Sequence, residues 1–108
     1  MNKQQHLYSN LWKMYIPDIL DMVEVFPSNL GIELSKNEFN AVGNREDYCF
    51  RLELKNGKIA NNIQGSAVAR DLAELLLADS RAKRLFAGKT VIIRLLSNYQ
   101  LVAEVNAL

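Results

Sequence analysis

The sequence predicts an α+β fold: a mostly antiparallel sheet of four to five strands, open to a mixed arrangement, with an N-terminal helix and a central helix pair packed on it. Three observations predict it. Apolar residues recur at spacings of three and four from Leu11 to Phe26 and from Val68 to Leu76, the period of helices that bury one face. Alternation with a period of two runs from Tyr48 to Leu54, the signature of a strand with one covered face. Helix, extended segments, hairpin, helix pair and hairpin follow one another in that order, and helices on one face are the economical cover for such a sheet.

The first helix carries Trp12, Ile16, Ile19, Val23 and Phe26 on its stripe, with Ser9 or Asn10 as its cap. Pro17 removes one backbone donor, so the element is either kinked there or made of two short helices with Pro17 in the first turn of the second. Residues 30–43 admit two readings. Ser35 with Glu38 forms a capping box and Leu34 with Phe39 a hydrophobic staple, yet Asn37 and Asn40 are poor helix formers. Alternation over Gly31-Ile32-Glu33-Leu34 favours extended structure for the segment.

In the central hairpin, Asn56-Gly57 is the preferred pair for a two-residue type I′ turn, because both positions need positive φ. The turn sets the register: Lys55 faces Lys58, Leu54 faces Ile59, Leu52 faces Asn61 and Phe50 faces Ile63, which puts Ile59 and Ile63 on the core side. Ser66 then caps a helix with Val68, Ala69, Leu72, Leu75 and Leu76 inward and Arg70, Asp71 and Glu74 toward water. Asp79-Ser80 starts a second helix, Arg81 to Ala87, with Leu85 and Phe86 inward and Gly88 as its left-handed stop. Thr90 to Leu96 is apolar on both faces and so reads as a central or covered strand; after a turn at Ser97-Asn98 the last strand runs from Tyr99 to Val105. The helix pair is long enough to make the Lys58 to Ile63 and Thr90 to Leu96 strands parallel neighbours.

The chain of 108 residues is 49% hydrophobic and 23% charged with a net charge of +1, which excludes a disordered or fibrous chain and fits one domain spanning residues 1–108. No apolar run reaches the length that spans a bilayer, and no secretory signal pattern opens the chain. The lone Cys49 fits a reducing, cytoplasmic setting. The near-neutral total is a cancellation. Residues 17–34 hold four acids and no base, whereas 79–94 hold five bases and one acid, and segments placed on different surfaces would make the molecule electrically two-sided.

Several constellations bear on function. Gly65 and Ser66 at a helix start, with Arg70 in its first turns, are a candidate anion site, although no phosphate-loop spacing is present. Arg81, Lys83, Arg84 and Lys89 are a candidate basic patch, but a pI near 7.8 argues against a dedicated nucleic-acid binder. Asp18, Asp21 and Glu24 at spacing three offer carboxylates for a cation or for acid-base work. His6 is the sole histidine, and with one Cys it cannot complete a zinc site. Trp12, Met14 and Tyr15, with the excess apolar strand surface, suggest a protein interface.

The expectation is therefore a small cytoplasmic binding or interaction module, not an enzyme and without cofactor, acting as a homodimer or with one protein partner through the first-helix patch or a sheet edge. The alternative is an anion, nucleotide-derivative or nucleic-acid binder at Gly65, Ser66 and Arg70 with the 81–89 segment. A hydrolase built on the Asp18, Asp21 and Glu24 row ranks third.

Overall fold

The computed structural model describes residues 8–25, 30–42, 48–60 and 67–108. The elements are α1 (Ser9–Val25), β1 (Leu30–Glu33), α2 (Lys36–Val42), β2 (Phe50–Lys55), β3 (Lys58–Ile59), α3 (Ala67–Ala78), α4 (Ser80–Phe86), β4 (Lys89–Leu95) and β5 (Gln100–Ala107). The strands form one five-stranded sheet in the order β1-β5-β4-β2-β3, and every described pairing is antiparallel. The fold is α+β, with the helices packed on the sheet.

Local chemistry accounts for most element boundaries. The φ angles of Asn56 and Gly57 are +54° and +78°, so the hairpin turns through the positive-φ pair and Leu54 meets Ile59 while Lys55 meets Lys58. Asp79 caps α4 by accepting the Ala82 amide at 2.9 Å, and Gly88 ends the connection at φ +72°. α1 runs unbroken through Pro17, which lies on the exposed side of the helix; a single missing donor does not interrupt a helix held by its buried stripe of Trp12, Ile16, Ile19 and Val23.

Four expectations are corrected. Residues 36–42 are helical, although the segment as a whole read as extended. Ser35 Oγ accepts the Glu38 amide at 3.4 Å, and Phe39 is buried among Tyr8, Trp12, Tyr48 and Tyr99, so tertiary packing overrides the low propensity of Asn37 and Asn40. The sheet is not mixed. β3 and β4 do run in the same direction, as a helical crossover requires, but β2 lies between them and pairs antiparallel with both. Ile59 is 43% exposed because β3 is a two-residue edge strand beyond the reach of the helix layer; Asn61 and Ile63 lie outside the described residues. Asp71 does not face water but is fully buried, and its Oδ2 accepts the Tyr8 amide at 2.8 Å. That carboxylate from α3 supplies an acceptor at the start of α1, in place of a local cap at Ser9 or Asn10.

Candidate functional site

Strand alternation divides the sheet into two unlike faces. Val91, Ile93 and Leu95 of β4, Leu101, Ala103 and Val105 of β5, and Leu52 and Leu54 of β2 are buried beneath the helices. Their neighbours point the other way. Thr90, Ile92, Val102 and Glu104 are half-buried, and Arg51, Lys55, Arg94 and Gln100 are exposed. No described helix lies on that side, and β4, which read as apolar on both faces, is central in the sheet yet covered by the described helices on one face.

The register determines what this open face presents. Gly31, Val102, Arg94 and Arg51 line up across four strands; Glu104, Ile92 and Glu53 form the next row, and Thr90, Lys55 and Lys58 the one after. Ile92 and Val102 thus sit on adjacent central strands with charges around them. Two pairs of like charges stand directly opposite each other, Arg51 with Arg94 and Lys55 with Lys58, an arrangement that destabilises a sheet. Within the basic half the Arg51 guanidinium bonds Glu53 at 3.0 Å. On the other half, β1 and β5 contribute Glu33 and Glu104.

A second assembly occupies one end of the molecule. Tyr48 and Tyr99 stack with ring centroids 4.8 Å apart and planes 16° from parallel, and Lys36 Nζ lies 5.9 Å above the Tyr99 ring. Tyr99 holds φ +66° in the β4–β5 connection, just before the hydrogen bond from the Leu96 amide to the Gln100 carbonyl closes the hairpin, a position where glycine is the usual occupant. Its hydroxyl donates to Asn40 Oδ1 at 2.9 Å, its carbonyl accepts the Leu34 amide at 2.9 Å, and the Tyr48 hydroxyl donates to the Ser97 carbonyl. Each polar group named here is used in joining α2, β1, β2 and the loop, so the assembly is structural.

The residues expected to form sites are dispersed. Trp12 is not available to a partner: its ring is fully buried and its Nε1 donates to the Val68 carbonyl at 3.0 Å, because an indole on the centre of the α1 stripe faces the sheet. Tyr15 is half-buried with its hydroxyl accepting the Ser35 amide at 3.0 Å, which leaves Met14, 58% exposed, as the outward-facing member of that patch. Gly65 and Ser66 lie outside the described residues, as does His6; Arg70 is exposed on α3.

The acidic and basic segments meet at Arg81. Arg81 Nη2 donates to Asp21 Oδ1 at 2.6 Å and to Glu24 Oε1 at 2.8 Å, and its hydrogen bonds to Glu24 and then Asp21 raise its pKa. Lys83 and Arg84 fall in the last turn of α4, where they complement the helix dipole, and Lys89 opens β4. A hollow of about 220 Å³ between α1 and α3, lined by Lys13, Ile16, Pro17, Leu75 and Asp79, is smaller than the usual small-molecule site. Among the described residues no three metal-ligating side chains converge, and no helix is long and apolar enough to cross a membrane.

Known protein families, curated proteins and solved structures yield no match to this chain.

The open face was missed in the sequence because Thr90 to Leu96 carries apolar residues on both faces and so reads as covered. The signal that marks it is the polar alternation of Arg94, Gln100 and Glu104 around Ile92 and Val102.

Proposed function

We propose that this chain is a small cytoplasmic protein-interaction module, binding rather than catalytic, whose recognition surface is the sheet face that no described helix covers and not the first helix. One observation carries the reading: Ile92 and Val102 lie half-buried at the centre of that face, bordered by directly opposed like-charge pairs that cost the isolated sheet stability. An apolar centre with a charged rim is the composition of a protein-binding patch. The exposed thiol of Cys49 supports a reducing compartment. The nucleic-acid alternative along residues 81–89 loses support, because Arg81 is held by two carboxylates.

The test is the double variant Ile92→Lys with Val102→Glu. Each new charge stands opposite one of contrary sign, the introduced ammonium beside Glu53 and Glu104 and the introduced carboxylate beside Arg94, so the monomer fold is retained. Sedimentation and affinity capture are expected to show one association, with a second copy or with a stoichiometric protein, present in the parent chain and absent in the variant. An association that survives the double variant, or none in the parent, overturns the reading.

A further inference from the structure

We infer that the end of the molecule where the β2–β3 turn meets the α4–β4 connection docks on the anionic phospholipid surface of a membrane. This contact is separate from the open-face association proposed above and uses neither Ile92 nor Val102 at the centre of that face.

The fold assembles the patch from segments far apart in the chain. The Asn56 amide donates to the Lys89 carbonyl at 2.8 Å and the Gly88 amide donates to Asn56 Oδ1 at 2.7 Å, which fastens the turn to the connection. Lys55 and Lys58 flank the turn, Lys83 and Arg84 stand in the last turn of α4, and Lys89 opens β4. Residues 54–60 and 82–91 thus bring five bases and no acid to one end. Arg81, taken up by Asp21 and Glu24, is not one of them. None of the five forms an ion pair among the described residues. The acids of the adjoining row on the open face are engaged already: Glu53 accepts from Arg51, and Glu104 accepts the Asn106 side-chain amide at 3.1 Å. Positive charge is therefore concentrated at this end of a chain whose total is only +1.

Apolar groups stand beside these cations. Among the described residues the exposed large apolar side chains are Met14, Ile59 and Leu108, and the last two belong to this end. Ile59 follows Lys58, and the Leu108 amide donates to the Gly88 carbonyl at 3.1 Å. Cations with apolar side chains next to them match the boundary of a bilayer, where headgroup charge attracts the first and the acyl region accepts the second. A nucleic-acid duplex rewards the cations alone. The stacked Tyr48 and Tyr99 rings, the kind of surface that takes unpaired bases, lie at the opposite end of the sheet.

The test is co-sedimentation with vesicles of equal parts phosphatidylcholine and phosphatidylserine, with pure phosphatidylcholine vesicles and a duplex oligonucleotide in parallel. The parent chain is expected to bind the anionic vesicles, to leave the neutral ones largely unbound, and to be released by salt. Lys55→Gln/Lys58→Gln is expected to weaken vesicle binding about 25-fold at low salt, at roughly fivefold for each cation near an anionic surface. Ile59→Ser is expected to weaken it several-fold at low and high salt alike, because the group lost is apolar. Lys13→Gln and Met14→Ser, which remove the same kinds of group from α1, are expected to leave binding unchanged. All these positions are on the surface, and circular dichroism confirms that each variant is folded. No binding to the anionic vesicles, or a loss in Lys13→Gln as large as that in Lys55→Gln/Lys58→Gln, overturns the inference. Binding to the duplex in place of the vesicles, indifferent to Ile59→Ser, overturns it in favour of a nucleic acid. Ile92→Lys/Val102→Glu, which ends the protein association, is expected to keep vesicle binding, so the two readings fail separately.

Discussion

The backbone amide of Tyr8 donates a 2.8 Å hydrogen bond to Oδ2 of Asp71, joining residues 63 apart at a point where the carboxylate is fully buried. A helix beginning leaves amides without partners, and a carboxylate answers both their hydrogen-bonding and their partial positive charge. Asp71→Ala removes the acceptor and leaves the Tyr8 amide buried and unsatisfied, at a cost of about 1–3 kcal/mol. Asp71→Asn keeps an oxygen there and is expected to lose less; urea unfolding of the two variants checks the order.

Burial, and then the charge of Asp71, raises the pKa of the Tyr8 phenol above its ordinary 10.0. A raised pKa in the folded state means that the folded chain holds the proton longer than the unfolded one. Stability from this group is complete below pH 10 and is lost as pH climbs through the folded value. Tyr8→Phe is expected to flatten the alkaline fall in melting temperature relative to the parent chain. An unchanged slope would show that the phenol is not desolvated.

The contact of Arg81 with Asp21 and Glu24 lies at the surface, with the carboxylates 63% and 51% exposed. Its effect is therefore expected to be small and screened. Arg81→Ala should lower the melting temperature at low ionic strength, and the difference should vanish near 1 M salt, where the screening length falls to about 3 Å.

Gly57 adopts φ +78° in open space, so a methyl group meets no atom there and any penalty comes from the backbone alone. Gly57→Ala is expected to cost about 1 kcal/mol in denaturant unfolding.

Tyr99 is the opposite case, a bulky side chain in the left-handed region. Tyr99→Gly relieves about 1–2 kcal/mol of backbone strain but forfeits the stack on Tyr48 and the contact with Phe39. The packing loss is the larger, and a net destabilisation of about 2 kcal/mol is expected by calorimetry.

Some of this was written locally. The Asn56-Gly57 turn, the inward alternation of Leu52 and Leu54, the Asp79 cap and the Gly88 stop each depend on residues within a few positions of one another, so reading along the chain finds them. The α+β class followed from those pieces. What failed involved partners far apart in sequence. Asp71 looks like a solvent residue on a helix wheel until Tyr8 arrives from 63 positions away, and Asn37 and Asn40 weaken a helix that Phe39 holds by its aromatic neighbours.

The same divide runs through the functional surface. Periodicity says which side of a strand is apolar, but not which strand lies beside it. The sequence by itself therefore determined most of the elements, the buried sides of α1, β2 and β5, and the near-cancellation of charge. Tertiary structure alone decided that β4 is flanked by β5 and β2, that Arg81 closes on Asp21 and Glu24, and that Arg51 opposes Arg94 and Lys55 opposes Lys58 on a face no described helix covers. Strand order and helix packing are chosen by the total apolar area buried, a non-local quantity that no short window of residues contains.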